Sequence, residues 1–247
     1  LVPTATVTLP PPSATPLPSG PCADTQLRCP NLIVGTPSEL KLWRTPTGRA
    51  LLGSRNKLIN RGTGPLTLLG DRDGGNKRSM AVRQRIASAS GTHGEFALLD
   101  THFDFWRIPT GPGQGSFWKL RDGLRFELWT ADENDDLFVA RGIKTRFCMR
   151  DLRKVVGLPG PSFRQFGACN QSLKAQSVQM GISSGWMESY PAGYYEQYVD
   201  VSGLSGCYSL RHIADPLEHV FESDESDNVS RRRVRLPVRR DGRIRSC

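Results

Sequence analysis

The chain has 247 residues, room for one large domain or two small ones, and a formal net charge of +9. Its 25 glycines and 18 prolines, without sustained helical periodicity, argue against a helical bundle. No apolar run approaches the roughly 18 residues of a membrane span, and the charge is too localised for a nucleic-acid-binding surface.

Residues 1–21, LVPTATVTLPPPSATPLPSGP, are rich in Pro, Thr, Ser and Ala and carry no charge. Proline fixes φ and withholds a donor, so an extended, solvated tether is expected there. The segment lacks the basic start and apolar centre of a signal peptide and reads as what is left once a signal or upstream region is removed. Pro with Ser and Thr is also the composition of O-glycosylated stalks, which points to an exported glycoprotein. The folded domain is expected over 22–238, followed by a basic tail at 239–247.

Within the domain, CPNLIVG and SELKLWRT are the first predicted strands, and LINRGTGPLTLLG has strand–turn–strand logic. Residues 71–95 are polar and rich in Gly, Ser and Arg, which predicts a long loop and hairpin. FALLDTHFDFWRI is the next apolar segment, followed by a glycine loop over Gly111–Gly115. KLRDGLRFELWT and LFVARGIKTRFCM are predicted strands joined by the acidic turn ADENDD. Residues 155–190 look irregular. YEQYVDVSG, GCYSLRHIADP, HVFESDESDN and VSRRRVRLPV then close the chain as strands and turns. The class predicted is all-β, a β-sandwich-like core with long irregular loops.

Six cysteines without CxxC pairs favour disulfides over a metal site. Of the 15 pairings that six cysteines allow, Cys22–Cys29, Cys148–Cys169 and Cys207–Cys247 are expected. Asn170 in NQS and Asn228 in NVS are candidate glycan acceptors of a secreted chain.

Residues 231–247 hold eight arginines and one aspartate, so +7 of the +9 lies there and +2 remains for residues 1–230. Arg231, Arg232, Arg233, Arg235, Arg239, Arg240, Arg243 and Arg245 could meet an anionic glycan, protein or surface. Equally, the alternation in RRVRLPVR fits an edge strand whose arginines discourage strand pairing. The four carboxylates of ESDESDN (222–228) could attract Ca²⁺, but they lack EF-hand spacing and are expected in a solvated turn.

Dispersed motifs between CPNLIV (29–34) and VRLPV (234–238) carry a resemblance. ARGIKTRFC, GISSGWMESYPAGYYEQYVDV and DPLEHVFESDESDN follow one another in the order of the copper-dependent lysyl oxidase catalytic domain, which the chain resembles. That resemblance implies a lysine tyrosylquinone cofactor made from Lys144 and Tyr190, the two matching positions. It also implies three copper-binding histidines at alternate positions, where one strand could present three imidazoles to one side. With Trp118 aligned to the aromatic between the second and third, the ligand positions hold Gly115, Phe117 and Lys119. No histidine occurs between 103 and 211, and His93, His102, His212 and His219 are expected to be ordinary hydrogen-bonded or solvated residues.

Two functions follow. The first is an extracellular lysyl-oxidase-like domain without catalysis, cofactor or metal, a structural or binding component of a matrix, cell surface or filament. Its partners would be extracellular or filament proteins or anionic glycans, with self-assembly open. The alternative is an active copper/lysine-tyrosylquinone oxidase that deaminates peptidyl lysine, with Lys144 and Tyr190 crosslinked.

Overall fold

A computed structural model describes residues 20–72, 74–75, 77–131, 137–237, 244–245 and 247. Residues 1–19 of the tether expected over 1–21, most of the acidic turn and Arg239, Arg240 and Arg243 lie outside the described residues. Among those described, a short 3₁₀ helix at Gly20–Ala23 precedes seventeen strands. They are β1 (Leu27–Arg28), β2 (Leu32–Val34), β3 (Ser38–Arg44), β4 (Ala50–Asn60), β5 (Leu66–Asp71) and β6 (Ser79–Ser88). β7 (His93–Ile108), β8 (Gly115–Arg121), β9 (Leu124–Thr130), β10 (Phe138–Arg141), β11 (Arg146–Phe147) and β12 (Arg153–Lys154) follow. β13 (Ser177–Ile182), β14 (Trp186–Tyr190), β15 (Tyr198–Asp200), β16 (Gly206–Ala214) and β17 (Val229–Leu236) complete the fold.

The strands make three sheets, and every pairing is antiparallel. One runs β11-β8-β7-β6-β5-β13 with β1 added at β6; a second runs β10-β9-β16-β17. The third centres on β4, whose first half pairs with β3 and β15 and whose second half pairs with β2 and β14. Leu58, Leu66, Met80, Phe103, Trp118, Leu128, Phe147, Ile182 and Val234 bring all three sheets to one apolar core. The all-β class is therefore correct.

Several expected boundaries move. Residues 79–88 are not loop but a central strand, on which Met80, Val82, Gln84 and Ile86 alternate into the interior. KLRDGLRFELWT is not one strand: Asp122, at φ 54°, and Gly123 break it, and its halves join different sheets. Tyr190, expected in irregular chain, ends β14 and is buried. Residues 222–228 are not a solvated turn either. Glu222 is fully buried and accepts the Leu32 backbone N–H and the Asn228 amide.

Three disulfides staple the fold: Cys22–Cys29, Cys148–Cys169 and Cys207–Cys247. The first packs on Ile86, Phe96 and Phe221 in a small separate cluster. The third brings the C-terminus back to the second sheet, where Arg245 bridges to Arg235 and Ile244 packs against the core. β17 is the outer strand of that sheet, with Arg231, Arg233 and Arg235 exposed and Val234 and Leu236 turned inward. Arg232 is half-buried and donates to the Pro37 carbonyl. Asn170 is exposed. Asn228, by contrast, is buried, and its amide nitrogen donates to Glu222 and Glu225.

Candidate functional site

β8 sends alternate side chains to one side, and on that side Phe117 and Lys119 approach Tyr194. The Lys119 amine lies 5.3 Å from the Tyr194 ring centroid and 5.9 Å from that of Phe117. Lys144, in the link between β10 and β11, approaches Tyr194 as well. Its Nζ sits 4.6 Å from the Tyr194 ring, 4.6 Å from Phe147 and 4.9 Å from Tyr190. Two lysines and two tyrosines from distant parts of the chain thus share one cluster. A pocket of about 260 Å³ opens onto it, lined by Phe117, Lys119, Arg150, Tyr190, Tyr194 and the Cys148–Cys169 disulfide among others.

Each polar group has a defined environment. Lys144 is buried and donates to the Arg146 carbonyl at 3.0 Å. Burial, helped by the nearby Lys119 charge, holds its pKa well below the usual lysine range, so the neutral amine is favoured. The Tyr190 hydroxyl accepts the Cys148 N–H at 2.7 Å and donates to the Cys148 carbonyl at 3.0 Å. Burial, with the Glu188 carboxylate second, raises its pKa well above the usual phenol range. A phenol engaged in both directions and kept protonated acts as a tie between β14 and the disulfide. Glu188, beneath it, pairs with Arg150 at 3.1 Å and is pushed up to about 8 by burial. Gln197 holds the loop that carries Tyr194 by donating to the Ser54, Tyr190 and Pro191 carbonyls.

Lys144 and Tyr190 respond oppositely to substitution. Lys144→Met removes a desolvated amine and keeps the volume, so stability stays within about 1 kcal/mol or rises. Tyr190→Phe strands a buried N–H and carbonyl and costs about 1–3 kcal/mol. Urea denaturation reads both. Because the Lys144 pKa is lowered, the unfolded chain binds the extra proton, and its contribution to stability is lost as pH falls from the ordinary value of 10.5. Lys144→Met should remove that part of the slope.

The donors do not fit copper. Phe117 offers no lone pair, and the Lys119 side chain places a cation beside the cluster. Gly115 has φ 140°, a conformation side chains rarely adopt, and a Cβ there would lie 2.9 Å from the Phe117 ring. The histidines do not substitute. On β7 His93 is exposed and His102 half-buried, and His219 lies in the turn after β16. His212 is buried with its Nε2 2.8 Å from the Ser54 hydroxyl, packed on Phe126, and burial lowers its pKa to about 3. Among the described residues, one group of three can converge on a cation: Asp215, Glu222 and Glu225, with ligand atoms within 4.8 Å of one another. That all-oxygen set suits a hard ion such as Ca²⁺ rather than Cu(II). Burial raises Asp215 to about 6 and Glu225 to about 7.

The fold and the cluster define a disulfide-stapled all-β domain with a buried lysine set against a buried tyrosine. A model of the lysyl oxidase family matches residues 124–247, and the chain belongs to that family, whose members are in general copper-dependent. The match includes Lys144 and Tyr190 and begins after β8, the strand that carries Gly115, Phe117 and Lys119. No curated protein matches the chain. Among the described residues no helix is long and apolar enough to cross a membrane.

The structure brings Lys144, Tyr190, Phe117 and Lys119 of the sequence-based expectations together. Tyr194, Arg150 and Glu188 join them, and nothing local in the sequence marks these three as partners of the cluster.

Proposed function

We propose that this chain is an exported, non-catalytic lysyl oxidase domain, serving as a structural or binding component of a matrix, cell surface or filament. The observation that carries the proposal is the occupancy of β8. A glycine, a phenyl ring and a buried ammonium face the lysine–tyrosine cluster where the family resemblance calls for three imidazoles. The Tyr190 hydroxyl, closed on the Cys148 backbone, supports a structural use of that ring. The three disulfides suit an oxidising compartment. Partners are extracellular or filament proteins or anionic glycans, met through the exposed Arg231, Arg233 and Arg235 of an outer strand.

The test is copper content together with peptide mapping of protein purified from a copper-supplied eukaryotic secretory host. The expected result is substoichiometric copper, with the peptides of Lys144 and Tyr190 recovered unlinked. Stoichiometric copper, or a 144–190 crosslink, overturns the proposal. One observation favours the alternative of a working amine oxidase: a buried Lys144 amine, its pKa lowered by burial, 4.9 Å from the Tyr190 ring centroid. Those two residues would be the cofactor precursors in that reading, and the same mapping decides between the two.

A further inference from the structure

Lys119 is a charge that the packing buries without a hydrogen bond. It is 1% exposed, its Nζ has no hydrogen-bond partner, and it lines the pocket beside Tyr194. Buried ammonium groups are ordinarily paired, because an unpaired one loses its water without replacement. Burial lowers its pKa only to about 8, so the group remains mostly charged at neutral pH. The nearby Glu196 and Glu188 favour its charge from a distance, but Glu188 is held by Arg150 and neither hydrogen-bonds to its nitrogen. Arg150 adds a second cation, 36% exposed, to the same pocket wall. Most of the remaining lining is apolar or aromatic, Pro112, Phe117, Tyr190, Pro191 and Tyr194 among it, and the Ser189 hydroxyl there is already committed to the Asn56 carbonyl.

We propose that this pocket is a carboxylate-binding site, in which Lys119 supplies the buried charge-assisted hydrogen bond and Arg150 the cation at the mouth. At about 260 Å³ it takes a group the size of a small organic acid or one acidic side chain, smaller than a drug-sized ligand. The aromatic walls exclude water and strengthen the pairing, since the same charges attract far more in a low-dielectric pocket than in bulk solvent. A carboxylate also satisfies the donor that the fold leaves orphaned. The polarity is the reverse of what a positively charged amine needs, since two cations line the pocket. The ligand has two sources, a free small acid or a glutamyl or aspartyl side chain of a neighbouring protein. The inference concerns the same pocket as the proposed function and assumes with it that no metal sits beside Lys119.

Isothermal titration and thermal melting of the whole chain, treated with chelator and kept in low-chloride buffer, supply the test. The probes are acetate, glutarate and N-acetyl-glutamyl amide, with butylammonium as the opposite charge and sodium sulfate for general salt effects. At least one carboxylate should bind and raise the melting temperature, while butylammonium does neither. Lys119→Gln should weaken that binding at least tenfold. Binding of acetate or glutarate alone marks the free acid as the source, and binding of the amide alone marks an acidic side chain. Should Lys119→Gln fail to fold, side-chain-resolved lysine NMR of the unaltered protein follows the Lys119 signal through the same titration. Carboxylates that do not bind, bind no better than sulfate, or leave the Lys119 signal unmoved overturn the inference. Those failures leave the non-catalytic reading standing if copper and crosslink are absent. Copper or a crosslink would instead remove that reading and, with it, the assumption on which this pocket rests.

Discussion

Replacing Asp151 by alanine lowers the stability of the domain by about 3–5 kcal/mol, among the largest effects expected of one side chain here. Asp151 is 1% exposed, and its carboxylate accepts four hydrogen bonds. They come from the backbone N–H groups of Gln165, Phe166 and Ser183 and from the Ser183 hydroxyl, at 2.7–3.1 Å. Alanine leaves two buried N–H groups, of Phe166 and Ser183, and the part-buried one of Gln165 with nothing to donate to, and each orphaned buried donor costs about 1–3 kcal/mol. Asp151→Asn should recover part of the loss, because its carbonyl oxygen still accepts while its amide nitrogen faces donors. Urea denaturation of the two variants beside the parent checks the order. An alanine variant within 1 kcal/mol of the parent would mean that water replaces the carboxylate and that the side chain is no hub.

The second large effect belongs to the Cys148–Cys169 disulfide, 21 residues apart in sequence. Removing a crosslink of that span returns entropy to the unfolded chain, worth about 3 kcal/mol in the loop-closure treatment. The pair Cys148→Ala with Cys169→Ala should therefore lose about that much in equilibrium denaturation. Because both cysteines line the Lys119 pocket, the same variant should also lose carboxylate affinity. It should retain the Tyr190 contact, which uses only the Cys148 backbone. Unchanged stability would show that the Asp151 hub alone holds the segment 149–169 in place.

Much of this fold is legible in the sequence, and the failures have causes. Strands with one buried face, such as 229–236, declare themselves by alternating arginine with apolar residues. β6 does not, because one of its inward positions is Gln84, fully buried and bonded to the Phe221 backbone in both directions. A polar residue at a core position breaks the pattern, and its partner lies 137 residues away. The division at Asp122–Gly123 was hidden because apolar spacing continues across it into a different sheet. At the site, Lys144, Tyr190 and the three β8 positions could be placed by resemblance. Lys119 as a buried cation could not, since only the packing of Tyr194 and Phe117 over it removes its water. Glu222 departs from expectation for the same reason: a carboxylate written in a polar string reads as solvated until its surroundings are known.

The Cys207–Cys247 link has a practical consequence. It closes a ring around β16, β17 and the arginine-rich run, two ends 40 residues apart in sequence. A single tryptic cut anywhere inside that ring nicks the backbone yet releases no fragment. The product should migrate as one species until a reductant is added, and only then fall into two pieces.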